Sequence, residues 1–362
     1  MREKNMTELT LHPFGHMPDG KNIDLYTLTN ACGAAVSVTT YGARIVSWRR
    51  TAHGRETDVV LGYVHGEDYL TDPFYMGAVV GRHANRIAGG RVTLAGRLYQ
   101  LERNTGSQHQ NHIHGGTHGL HAHLFTAQPV PGGVRMRTES PDGEGGYPGN
   151  FTVYVTYLLS ADGALSIRYE AASDADTICN LTNHTYFNLD GAGADTIENH
   201  TAEIFADQFT WADAEALPDG RILDVIGTPM DFTVPHRIGA RIDAAYDQLQ
   251  MAHGYDHNWV LRGDFAPEPY SHLKKAARVA APKTGLILSC YTDRIGVQFY
   301  TGNNLRGDTP PGKGGIVFPR RSGFCLETQF FPNAPANPAF PQPILAMDEL
   351  FTAETVYKID TV

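Results

Sequence analysis

The chain has 362 residues, 41% hydrophobic and 19% charged, with 39 Asp and Glu against 29 Lys and Arg for a formal net charge of −10. That length suits two domains or one large all-β domain, and the composition is that of a chain able to bury a sizeable core. An acidic balance without clustered Lys and Arg argues against a nucleic-acid partner, and no apolar run reaches the length of a membrane span; a neutral small molecule is the expected partner.

In chain order, "MREKNMTELTLHPFG" (1–15) lacks the apolar stretch of a secretory signal, so a cytoplasmic location is expected. "GRHANRIAGG" (81–90) sets Asn85 beside Arg86 between glycine-bearing flanks. A turn with a solvated arginine would read the same way, yet a neutral amide next to a planar guanidinium also suits polyol hydroxyls. "HQNHIHGGTHGLHAH" (109–123) holds six of the 17 histidines. The His112-x-His114 pair resembles the ligand pair of a cupin, but Gly115-Gly116-Thr117 stands where a supporting carboxylate is needed, so no metal site is expected. His114 differs from its neighbours because the two glycines after it allow a tight turn and close approach by a ligand.

"FTVYVTYLLSADGALSIRYEA" (151–171) alternates, turns at Ala161-Asp162-Gly163 and alternates again, which reads as a β-hairpin; "TGLILSCYTDRIGVQFYTGN" (284–303) reads as a second. In "NLTNHTYFNL" (180–189), period 2 puts Leu181, Asn183, Thr185, Phe187 and Leu189 on one face and Thr182, His184, Tyr186 and Asn188 on the other. That polar row is either a solvated sheet face or the floor of a binding groove. The only helical pattern is "HRIGARIDAAYDQL" (236–249). "YDHNWVL" (255–261) offers Asp256 among aromatic residues, and in "SGFCLETQFFPN" (322–333) alternation turns Glu327 away from Phe324 and Leu326. The Pro-rich 331–345 segment is expected to form an extended rim loop. Cys32, Cys179, Cys290 and Cys325 stand far apart, as small buried thiols of a reducing compartment would.

No run of βα units, linker, repeat or charge block appears. The expected fold is an all-β antiparallel sandwich with few short helices, formed by residues 1–362 as one domain.

A carboxylate, a histidine, aromatic surface and hydroxyl-binding side chains, with no phosphate cradle and no cofactor motif, describe acid/base work on a sugar. The chain resembles the aldose 1-epimerase (galactose mutarotase) family along almost its full length. The resemblance is carried by "DVVLGY" (58–63), "GRHANRIAGG", "IHGG" (113–116), "PDGEGGYPGN" (141–150), "NLTNHTYFNLDG" (180–191), "YDHNW" (255–259), "GVQFYTGN" (296–303) and "SGFCLETQ" (322–329). It implies a large antiparallel supersandwich that interconverts the α and β anomers of free aldohexoses without a cofactor; separately, a monomer or homodimer is expected. It also implies Glu327 as general base and His184 as general acid. Asn85, Arg86, His114 and Asp256 match positions that bind sugar hydroxyls or the ring oxygen, and Thr185 and Tyr186 lie beside His184 in the same motif.

Two departures from the family pattern stand out. Gly119-Leu120-His121 and Phe125 replace the usual residues after "HGG", so the rim near His114 is expected to differ. Arg294-Ile295 precedes "GVQFYTGN", and Arg294 is expected to reach the groove and bias it toward another hydroxyl pattern or an anionic sugar. The competing functions are a non-catalytic sugar-binding sandwich, which has no use for Glu327 and His184 together, a metal-dependent isomerase using the His-rich loop, and glycoside cleavage by Asp256 and Glu327.

Overall fold

The computed structural model describes residues 7–307 and 310–361. The first six residues of the N-terminal segment considered above therefore lie outside it. Three antiparallel sheets dominate. The first is a meander of Glu8–His16, Asn22–Thr29, Ala35–Thr39, Ile45–Ala52 and Arg55–Asp58. The second has nine strands and runs in space from Thr126–Val130 through Phe151–Leu159, Ala164–Ser173, Phe351–Thr361 and Leu286–Thr292 to His236–Arg237. The third consists of Pro218–Asp224, Ala206–Ala212, Asp256–Leu261, Gly296–Tyr300 and Cys325–Gln329.

Alternation explains how these sheets pack. In Phe151–Leu159 every second residue is buried, from Phe151 through Val153, Val155 and Tyr157 to Leu159, while the residues between are partly exposed. That face joins one hydrophobic cluster with Trp48 of the first sheet and with Trp259, Phe299 and Leu326 of the third. Polar pins cross the same seam, from Tyr357 Oη to the Leu326 carbonyl at 2.6 Å and between the Thr328 and Thr355 hydroxyls at 2.6 Å. A second buried cluster, including Tyr63, Tyr69, Met76, Tyr186, Tyr300 and Cys325, lies on the opposite face of the third sheet and floors the cavity described below.

The 151–171 segment is the expected hairpin, with Phe151 opposite Ser173 and Leu159 opposite Leu165. The 284–303 segment is not. Leu286–Thr292 pairs with Lys274–Ala280 and Phe351–Thr361 in the nine-stranded sheet, whereas Gly296–Tyr300 pairs with Asp256–Leu261 and Cys325–Gln329 in the third. The connection is a corner. Asp293 Oδ1 accepts the Glu354 N–H, and the Arg294 N–H donates to Thr292 Oγ1, which turns the chain out of one sheet into the other.

Other expectations need correction. Over 236–249 the chain forms a short strand, a 3-10 turn at Ile238–Ala240 and a true α-helix only at Asp247–Ala252; a Cβ on Gly239 would sit 2.7 Å from that of Glu198, so the apolar spacing reflects anchoring against a neighbouring turn. The 331–345 segment is more than a rim loop: Phe331 and Phe340 are buried against each other, and Asn333 bonds to the Arg86 loop. Cys179, Cys290 and Cys325 are buried, but Cys32 is exposed in the turn that follows Asn22–Thr29. Among the described residues no helix is long and apolar enough to cross a membrane.

Candidate active site

A cavity of about 570 Å³ opens over the second cluster, a size usual for small-molecule sites. Asn85, Arg86, His114, His184, Tyr186, Asp256 and Glu327 all line it. They come from five separate stretches of chain. Asp256 opens one strand of the third sheet, and Glu327 sits two strands away in Cys325–Gln329, on the face opposite Phe324 and Leu326 as alternation requires. Arg86 pairs with Ile113 in a two-stranded ladder that carries His114 to its place.

Three non-glycine residues in the wall, Tyr75, Asn85 and His114, hold φ of 55°, 62° and 54°. Such left-handed positions are uncommon and concentrate where the surrounding structure forces a side chain in a particular direction. The glycines after His114 have a different task from the one expected. A Cβ on Gly115 would lie 1.8 Å from the Gly81 carbonyl oxygen, so the glycine admits a neighbouring backbone, not a ligand.

The row from Thr182 to Asn188 is a strand only at Thr182–Asn183, and all of it is buried. His184 and Tyr186 reach the cavity. Thr185 does not; its hydroxyl and N–H both donate to Asn183 Oδ1. Asn188 donates to the carbonyls of Asp195 and Ser322, and Thr182 Oγ1 is buried without a partner. Antiparallel bridges from Phe187 to Val60 and to Phe324 pull this stretch off a regular strand path and into the core.

Glu327 Oε1 lies 3.7 Å from His184 Nε2, with both side chains almost wholly buried and Glu327 Oε2 without a hydrogen-bond partner among the described residues. Burial pushes the Glu327 carboxyl well above its ordinary range, Asp256 adds to this, and Arg86 opposes it. Burial likewise holds His184 down at about 4. Both shifts favour the neutral forms of the two groups. Asp256 is also raised by burial, against Arg86 and against Gln298, whose Nε2 donates to Asp256 Oδ1 at 2.7 Å.

The two cavity histidines are not equivalent. The Asn85 N–H donates to His114 Nδ1 at 3.2 Å, and the His114 N–H donates back to the Asn85 carbonyl at 3.2 Å. An accepting Nδ1 carries no hydrogen, so the neutral ring holds its proton on Nε2. Burial, with His184 and Arg86 nearby, keeps His114 well below the usual imidazole range, so it stays a fixed donor. The ring nitrogens of His184 meet Cys325 Sγ, 3.6 Å from Nδ1, and the Glu327 carboxyl at Nε2, with a further hydrogen bond to its own backbone.

Among the described residues, the group of potential metal ligands that converges is His114, His184 and Glu327, with ligand atoms within 4.8 Å of one another. The tautomer of His114 presents N–H there instead of a lone pair, a donor for a hydroxyl and a poor ligand for a cation. His112 points elsewhere, with Nδ1 on the Glu102 carbonyl at 2.6 Å and Nε2 on Tyr147 Oη at 2.5 Å. His109 and His118 are exposed, and His123 pairs with Glu144 at 3.1 Å.

Arg294 does not reach the cavity. It lies at the inter-sheet corner, bonded to Asp293 at 2.8 Å and to the Thr352 carbonyl at 3.0 Å, with its guanidinium over Phe330 and Phe351. Of the residues after "HGG", Leu120 and Phe125 enter the main core and the His121 ring stands 4.7 Å from that of Tyr75, and none of the three lines the cavity. Sequence reasoning missed Tyr75, Tyr300 and Arg306 in the lining. It missed Gln298 too, although pairing of "GVQFY" with "CLETQ" would have set that residue opposite Glu327.

The sequence model of the family described as aldose 1-epimerase matches residues 24–358. The chain belongs to this family. It is 40% identical over 354 residues to the galactose mutarotase of Rattus norvegicus, covering 98% of this chain and 99% of that one. It is 35% identical over 347 residues to the aldose 1-epimerase of Escherichia coli K12, covering 94% and 96%. Among solved structures, the galactose 1-epimerase of Lactobacillus acidophilus superposes with a TM-score of 0.84 at 28% identity, covering 98% of this chain and 99% of that one.

Proposed function

We propose that the protein interconverts the α and β anomers of free aldohexoses, with Glu327 as general base and His184 as general acid. The observation that carries this reading is the buried Glu327–His184 pair, 3.7 Å apart on the cavity wall. In the reactive complex His184 carries a proton on Nε2 and the Glu327 carboxylate faces the anomeric hydroxyl. Glu327 removes the hydrogen from O1 as His184 delivers one to O5, the C1–O5 bond breaks and the open aldehyde forms. Rotation about C1–C2 presents the other carbonyl face. His184 then takes the proton back from O5–H as O5 attacks C1, Glu327 returns one to O1, and the opposite anomer leaves with the enzyme restored.

The two proton transfers balance without a cofactor, and positioned general catalysis supplies roughly 10² to 10⁴ each. His114, through its fixed Nε2–H, and Arg86, Asn85 and Asp256 hold the hydroxyls, while Tyr186 supplies apolar contact. The continuous hydrophobic cluster from Tyr26 to Ile359 supports a single domain, and the buried free thiols fit a cytoplasmic setting. The test is anomeric NMR or polarimetry on freshly dissolved α-glucose and α-galactose. Wild type should accelerate equilibration, and Glu327→Gln and His184→Asn should fall to near the buffer rate; wild-type kinetics equal to buffer would remove the assignment.

A further inference from the structure

His184 must keep its ring in one orientation while a proton leaves and returns at Nε2. An imidazolium that gives up its Nε2 hydrogen is left with hydrogen on Nδ1. Nδ1 therefore stays protonated through the cycle and needs an acceptor. Its partner is Cys325 Sγ at 3.6 Å.

Cys325 precedes Glu327 by two residues in Cys325–Gln329, so the strand's period puts both side chains on one face. The same strand thus supplies the base and the group that touches the acid. Cys325 is fully buried beside Tyr186 and Tyr300. Burial, with Glu327 and Asp256 nearby, pushes its thiol well above the ordinary range, so it remains a neutral S–H.

We propose that Cys325 is a positioning residue whose sulfur accepts the Nδ1–H of His184 and keeps Nε2 directed at the ring oxygen of the sugar. The inference rests on the roles assigned above to Glu327 and His184. The choice of sulfur follows from the reaction. A carboxylate at this position would make the imidazole more basic and its conjugate acid weaker. Sulfur is a weak, polarizable acceptor that orients the ring while leaving the imidazolium a strong enough acid to protonate a sugar ether oxygen.

The other groups around His184 do not replace this contact. Glu327 lies at Nε2; the rings of His114, Tyr75, Tyr186 and Tyr300 pack around the imidazole at 5.0 to 6.1 Å; Arg44 acts only through its charge; and the backbone carbonyl of His184 favours the charged ring in every variant.

The experiment compares Cys325→Ala and Cys325→Ser with wild type by kcat, KM and their pH profiles, and by ¹⁵N NMR of the His184 ring. Alanine should lower kcat roughly 10- to 100-fold, the range for a misoriented catalytic group, with KM little changed, and should mix the two His184 tautomers. Serine, a stronger acceptor, should preserve the Nδ1–H tautomer, recover much of kcat and move the alkaline limb of the kcat profile, where the bound acid loses its proton, to higher pH. If both variants keep wild-type kcat, pH profile and ring tautomer, the thiol only fills space and the proposal is overturned. If the alanine variant does not fold, serine alone decides: an alkaline limb moved to higher pH supports the proposal and an unchanged one refutes it. Activity surviving in Glu327→Gln or His184→Asn would instead refute the reading beneath it.

Discussion

Glu327→Gln should remove activity and, at neutral pH, make the protein more stable. The carboxyl is 2% exposed, one of its oxygens has no hydrogen-bond partner among the described residues, and burial raises it well above the ordinary range. In the unfolded chain it ionises near pH 4.3. Between that value and the raised native value the folded form keeps a proton that the unfolded form has released, so this group's contribution to stability falls as pH rises. Each unit of elevation amounts to ~1.4 kcal/mol. For 362 residues at ~2.1 cal/mol/K each, that is a Tm difference of roughly 2 °C per unit. Glutamine cannot ionise and escapes the penalty. Its Tm advantage should therefore be largest at pH 7 to 8 and shrink away as pH approaches 4, while anomer exchange drops ~10²- to 10⁴-fold, or ~3 to 5 kcal/mol of barrier. Thermal melts of both proteins across this pH range, with anomeric NMR on the same samples, make the check. A Tm difference that does not vary with pH, or a variant less stable at pH 8 than at pH 4 relative to wild type, would refute the reasoning.

Acid should act on the whole fold in the opposite sense. Burial holds His83, His112, His121, His184, His200 and His257 at about 3 to 4, so below ~6.5 the unfolded chain takes up protons first and stability falls as pH drops, by up to ~1.4 kcal/mol per histidine per pH unit; urea melts at pH 7 and 5.5 measure the slope, and a flat profile would contradict it. His114→Ala removes a fixed hydroxyl donor and should raise KM about 5- to 100-fold, the equivalent of ~1 to 3 kcal/mol, with a smaller change in kcat; steady-state kinetics on α-galactose separate the two. Arg294→Gln should leave the ratio of rates on glucose, galactose and a uronate unchanged, because its guanidinium is held at the inter-sheet corner, and should lower stability by ~1 kcal/mol; a changed ratio in anomeric NMR would reopen a groove role.

Period-2 alternation by itself determined much: the 151–171 hairpin, the all-β class, and the outward turn of Glu327 from a strand whose Phe324 and Leu326 enter the core. It determined faces, because side-chain direction along an extended chain is a local property. It could not determine neighbours. Leu286–Thr292 and Gly296–Tyr300 alternate alike, yet they join different sheets, since their partners lie in remote parts of the chain and a three-residue corner separates them. The row around His184 looked regular for the same reason, until bridges to Val60 and Phe324 bent it and left Thr185 facing Asn183.

The chemistry divides along the same line. Residue types marked His184 and Glu327 as acid/base candidates, but their separation of 3.7 Å depends on two segments distant in sequence meeting through Phe187 and Phe324. What each cavity histidine meets was decided by tertiary contacts alone. A backbone N–H from Asn85 points at Nδ1 of His114 while a thiol stands beside Nδ1 of His184, and a ring's tautomer is set by whatever its nitrogens meet.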